Sequence, residues 1–330
     1  MKKIFPKIFI LVFFITILYV YVATGDRIVE YEEHLYDVKI IENNVWIVGY
    51  YGVIIHSKNG GESFELQNSG TKRALFSVDF IDTLNGWVVG SEGTIIHTTD
   101  GGKTWRSQKS NTKQHLYQVK FINKLEGWAV GSYGIVLSTK DGGNNWRVHK
   151  LPDEYMINCL SFVDSNHGWI GGEFGVIYHT EDGGRTWIKQ DSRIEVGLAS
   201  GESRSIFDIN FVDRNVGFAV GLDGVILRTY DGGKVWSNIT DKCLPCEKNK
   251  DSLYRIFIKG NKVFSVGARG SILFSEDRGD NWAYIPVEFR RNLNSIDFND
   301  KGLGIIVGDN GMMLKTTEGG SRWRVIKLSK

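Results

Sequence analysis

Several things are missing from this sequence, and each absence narrows the reading. After residue 25 no segment carries apolar residues at helical spacing, so a helical bundle is excluded and the body reads as all-β. Lys and Arg total 40 against 38 Asp and Glu, a net charge of +2; the global basic surplus of a nucleic-acid binder is absent. Only 4 prolines accompany 39 glycines, so the many tight turns implied by that glycine rest on its freedom at positive φ. Hydrophobic residues make up 42% of the chain, enough for a large core and too many for global disorder.

The one long uncharged apolar run, from Ile8 to Ala23, lies behind Lys2, Lys3 and Lys7. Residues 1–25 therefore read as a signal peptide or an N-terminal signal-anchor. The run is short for a spanning helix, which needs about 20 residues. Ile4 and Phe5 extend it across Pro6, and Ala23-Thr24-Gly25 offers a small-residue cleavage site before Asp26. No cysteine follows the run, so a bacterial lipoprotein anchor is excluded. The leading lysines keep that end in the cytoplasm and place residues 26–330 on the far side of the membrane, the extracytoplasmic or periplasmic side, and we expect them to stay tethered there.

Those residues hold one motif seven times. GWVVGSEGTIIHTTDGGKTW, from Gly86 to Trp105, returns as GWAVGSYGIVLSTKDGGNNW, GWIGGEFGVIYHTEDGGRTW and GFAVGLDGVILRTYDGGKVW, with weaker copies starting at Val45, Val263 and Gly304. The closing aromatics Phe64, Trp105, Trp146 and Trp187 recur every 41 residues, and Trp236, Trp282 and Trp323 follow after two wider gaps. The repeats lie near 34–70, 71–111, 112–152, 153–192, 203–240, 251–288 and 291–330. Each reads as four strands, and seven such units at this period predict a seven-bladed β-propeller. The 10 tryptophans all lie within these segments, where large aromatics fill blade interfaces, so none is left over for a sugar-stacking platform. His56, His97 and His179 repeat on third strands and read as strand-surface residues.

The turn Thr98-x-Asp100-x-Gly102-x-Thr104-Trp105 resembles the Asp-box of sialidase-type propellers. Its key positions are Asn59, Asp100, Asp141, Asp182, Asp231, Asp277 and Glu318. A short acidic or amide side chain there accepts hydrogen bonds from its own turn. Calcium is not expected, because each box has its own blade and no second acidic residue at ligand spacing. The fuller pattern, GW-x-VG-x-x-G-x-I-x-x-T-x-DGG-x-TW, resembles the photosystem II stability and assembly factor family and its non-photosynthetic bacterial relatives, over residues 34–330. That resemblance implies a non-catalytic propeller, with neither cofactor nor metal, that binds protein partners during assembly of a membrane complex. It also implies an arginine-rich patch on one face. The missing lipoprotein cysteine departs from the cyanobacterial pattern.

In a propeller, the residues that precede each first strand share a face with the turns between second and third strands, and the boxes occupy the other face. Here these residues are His34, Arg73, His115, Tyr155, Arg204, Asp251 and Arg291, with Lys72 and Arg290 adjacent. The candidate patch is thus Arg73, Arg204, Arg255, Arg290 and Arg291, which suits carboxylate recognition. Two longer connections, 191–203 and 240–251, lie on the same face as candidate binding loops. The second contains Cys243 and Cys246, a local disulfide in an oxidising compartment; the spacing also suits a redox pair or half a metal site. No second CxxC or nearby histidine pair completes four zinc ligands, and Cys159 is expected buried and free. The competing reading is a sialidase-like glycan hydrolase or glycan-binding propeller. Its RIP-type motif is absent, and only Tyr155 and Asp251 suggest catalytic partners near the channel.

Overall fold

The computed structural model describes residues 33–194, 204–243 and 250–328. Seven four-stranded antiparallel sheets, each taken from contiguous chain, form a ring, and no α-helix occurs among the described residues. Blade 2 is representative, with strands Leu75–Phe80, Gly86–Gly90, Ile95–Thr98 and Arg106–Ser107. Burial falls along each blade: second strands are buried throughout in blades 2 to 5, whereas the short fourth strands face water.

The interface between blades is built from one aromatic unit. Trp87 of blade 2 stacks on Phe121 of blade 3 with centroids 3.6 Å apart, and His97 stacks on the other indole face at 4.5 Å. Its indole N–H donates to the Gly142 carbonyl in the box of blade 3 at 3.1 Å. Phe121 meets the closing Trp146 edge-on at 5.8 Å. Trp46, Trp128 and Trp169 repeat the arrangement on Phe80, Phe162 and Phe211. In blades 2, 3, 4, 5 and 7 the glycine that opens the second strand makes room: a Cβ on Gly127 would lie 2.5 Å from the Phe121 ring. Gln67, Gln108 and Gln190 add a second link, each accepting from the next closing indole and donating to a box carbonyl. His149 stands in this position in blade 3 and bonds Ser138 instead, leaving the buried Trp187 N–H without a hydrogen-bond partner. The histidines that sequence reading placed on strand surfaces thus have a defined task as indole stacking partners.

From blade 5 onward the unit changes. Phe218 and Phe264 replace the tryptophans, with Phe264 tilted against Phe298 at 4.8 Å, and Ile305 packs in the aliphatic cluster that joins blade 7 to blade 1. By sequence, residues 26–31 and 324–328 both fit the outermost strand position at the closure. Arg324–Val325 pairs with its own blade as the fourth strand of blade 7, so no strand is exchanged among the described residues; residues 26–31 lie outside them. The seam is joined by polar contacts. Asp297 accepts from Ile40 N at 2.7 Å, Ser295 donates to Asp37 at 2.7 Å, Gly311 N donates to Glu33 O at 2.8 Å, and Lys315 pairs with Glu62.

Replacing Trp128 with Ala removes its stack on Phe162 and orphans the Gly183 carbonyl. The expected loss is about 3–5 kcal/mol, read as a fall in the urea midpoint.

Candidate partner-binding face and central channel

Each box ties its hairpin from within. In blade 4, Thr180 donates to Asp182 Oδ1 at 2.8 Å and accepts from Gly184 N at 2.9 Å, with Gly184 at φ +83°. Asp182 also accepts from Arg185 N, Thr186 N and the Thr186 hydroxyl. Asp100, Asp141, Asp231, Asp277 and Asn59 accept from their threonine or serine hydroxyl in the same way. Glu318 is too long for this turn; Thr316 accepts from Glu318 N and Gly320 N, while the carboxylate reaches Ser321. Burial alone would raise the Asp182 pKa, but the hydrogen bonds from Thr186 and Thr180 hold it down at about 2.

The opposite face carries the second-to-third-strand turns. Tyr50 N bonds His34 O at 2.8 Å and Ser91 N bonds Ala74 O at 2.9 Å, so first-strand starts and these turns share one rim. On that rim Arg73 pairs with Glu92 at 2.8 Å, Arg204 approaches Asp223 at 4.0 Å, and Arg291 donates to Asn310 O at 3.1 Å. Arg290 and Arg291 are exposed. Asp251 pairs with Arg269. These cations stand on blades 2, 5, 6 and 7 around one axis.

Arg255 lies deeper, in the channel itself. It bonds Asp37 at 2.5 Å and approaches Asp208 at 3.9 Å, so it joins blade 6 to blades 1 and 5. Asp37, Asp79, Asp208 and Asp297 each accept a backbone N–H from the next first strand, those of Val78, Phe121, Ile256 and Ile40. Lys39 and Lys120 flank Asp79 at 3.1 and 3.5 Å. Lys39, Asp79, Lys120, Asp208, Arg255 and Asp297 line a polar cavity of about 310 Å³.

One ring of residues was overlooked in the sequence. A bulge near the start of each first strand, as between Leu75 and Ser77, turns an extra side chain toward the mouth. Those residues are Tyr36, Phe76, Tyr117, Asn158, Phe207, Tyr254 and Asn294. Tyr36 meets Phe76 at 5.5 Å, Phe76 meets Tyr117 at 5.7 Å, and Phe207 meets Tyr254 at 5.6 Å. The recurring L-[YF] at first-strand starts was the available signal. Cys159 is buried and free, and Cys243 is buried and disulfide-bonded; Cys246 lies outside the described residues, as do the centres of both long connections.

The molecule is a seven-bladed propeller with Asp-box turns. The profile of the family described as Photosynthesis system II assembly factor YCF48 matches residues 63–153, 105–197 and 192–290, and the chain belongs to that family. No curated protein sequence matches it. Among solved structures, "YCF48 bound to D1 peptide" is 20% identical with a TM-score of 0.70, covering 89% of this chain and 94% of that one. YCF48 from Cyanidioschyzon merolae is also 20% identical at a TM-score of 0.70, covering 88% and 98%. An ancestral GH74 enzyme is 14% identical at 0.71, covering 93% of this chain and 48% of its own, so the architecture alone does not separate binder from enzyme.

Two pH dependences follow, of opposite sign. The Asp182 pKa is depressed on folding, so its contribution is full above about pH 4 and is lost as pH falls through about 2. Asp182→Ala is expected to cost about 1–3 kcal/mol at pH 7 and clearly less at pH 2, where the carboxylate is about half protonated, measured by urea unfolding at each pH. Burial pushes Asp208 up to about 6 despite Arg255 and the Ile256 N–H, so the folded state binds its proton more readily than the unfolded chain. That penalty is complete above pH 6 and relieved as pH falls toward 4. Asp208→Asn should therefore lose less stability than the parent between pH 4 and pH 7, in paired thermal melts.

Proposed function

We propose that this propeller is a non-catalytic scaffold on the outer side of a membrane, binding protein segments during assembly or stabilisation of a membrane complex. Membership of the YCF48 family carries the reading, and a propeller of the same architecture and family name has been solved with a peptide bound. The channel carboxylates support binding over hydrolysis, since Asp37, Asp79, Asp208 and Asp297 are each engaged in holding the neighbouring first strand. The apolar run Ile8–Ala23 supports a tether. The rim arginines Arg73, Arg204, Arg290 and Arg291 are the groups we assign to partner carboxylates; Arg255, held by two aspartates, acts in ring geometry instead.

The test is affinity capture from solubilised membranes with wild type and an Arg73→Glu, Arg204→Glu, Arg291→Glu variant. Surface charge pairs contribute about 0.5 kcal/mol each, so three reversals should lower recovery of partners about tenfold. Unchanged recovery would remove the arginine assignment. Release of reducing sugar from a glycan panel would replace the scaffold with a hydrolase.

A further inference from the structure

The rim carries a second set of residues that neither the ring nor the arginine assignment uses. At the centre of each second-to-third-strand turn one residue takes left-handed backbone, from φ +53° at Asn310 to +58° at Phe174. Asn tolerates this conformation well and bulky side chains poorly. Yet blades 1, 3 and 4 place Tyr51, Tyr133 and Phe174 there, 53%, 55% and 53% exposed, with Tyr50 beside the first at 47%. Blades 2, 5, 6 and 7 have Glu92, Asp223, Arg269 and Asn310, so one acidic residue stands between the aromatics of blades 1 and 3. Half of each aromatic ring thus faces solvent on three separate projections along one arc.

The chain itself indicates what lies opposite that arc. Glu33 O accepts from Gly311 N and His34 O accepts from Tyr50 N, so the polypeptide joins the ring on this rim, next to Tyr51. The apolar run ends at Ala23, ten residues earlier, a reach of about 35 Å at full extension. Tyr suits the boundary between headgroups and acyl chains, where its apolar ring and polar tip are both satisfied, and the Phe ring can sit on its apolar side. Lys72, with its ammonium 5.6 Å from the Tyr51 ring centroid, supplies a cation for lipid phosphate. Separate projections match a lipid surface better than a peptide, which needs a continuous groove.

We infer that the propeller lies with this rim against the phospholipid surface, Tyr51, Tyr133 and Phe174 seated in the headgroup layer and the channel mouth turned toward the bilayer. The inference rests on the tethered reading above. It is tested with the full chain in phosphatidylethanolamine–phosphatidylglycerol vesicles. Single variants Tyr51→Cys, Tyr133→Cys and Phe174→Cys, and on the box face Lys103→Cys and Arg185→Cys, are spin-labelled. Collision with oxygen is then compared with collision with a water-soluble nickel chelate. We expect oxygen to dominate at the three rim labels and nickel at the two box labels. A chain that floats with the vesicles while all five labels favour nickel overturns the inference alone and leaves the aromatic tips to a protein partner. A chain that fails to float overturns the tether and the inference together.

Discussion

The ring depends on an indole held between two blades. Stacked on a phenylalanine of the next blade and hydrogen-bonded to that blade's box carbonyl, each of Trp46, Trp87, Trp128 and Trp169 fixes both the spacing and the height of its neighbour. Dispersion alone would let sheets slide, because it lacks direction. The N–H to carbonyl bond removes that freedom. Serving in both contacts, the box turn is simultaneously a hairpin closure and a socket for the preceding blade. In blades 1 to 4 this double duty pairs each second-strand tryptophan with the box of the next blade.

Inside the ring a different chemistry does the same work. The first strands converge on an axis where apolar side chains would leave backbone N–H groups of the adjacent strand unpaired. Carboxylates from one blade satisfy the N–H groups of the next, and Lys39, Lys120 and Arg255 balance them. The result is a belt of charge whose members are committed to one another. The charged groups left exposed lie on the rim, where Arg73 and Glu92 pair at the surface.

Much of this was legible in the sequence, for a physical reason. A repeat that must fit its own copy leaves a regular signature, so blade number, strand count and the role of the boxes could be read from Gly86–Trp105 and its six relatives. The channel was harder. A bulge changes which face a side chain takes, and alternation alone does not reveal it, so Tyr36, Phe76 and their equivalents went unnoticed while residues two or three positions earlier were assigned to that face. Arg255 shows the same limit. A cation beside an apolar strand looks available until Asp37, 218 positions away, is brought to it by ring closure.

Among the described residues each blade is made from a single uninterrupted stretch of chain, and the seam between blades 7 and 1 is joined by side chains and loop backbone instead of a shared sheet. In topology that seam is an ordinary boundary between neighbours. The ring therefore has no privileged starting point. A circularly permuted gene, opened between any two blades and joined at the old ends, would encode the same seven sheets. By the same logic, a propeller of this construction can arise by duplicating one blade-sized unit, without any step in which a strand must be shared between the first copy and the last.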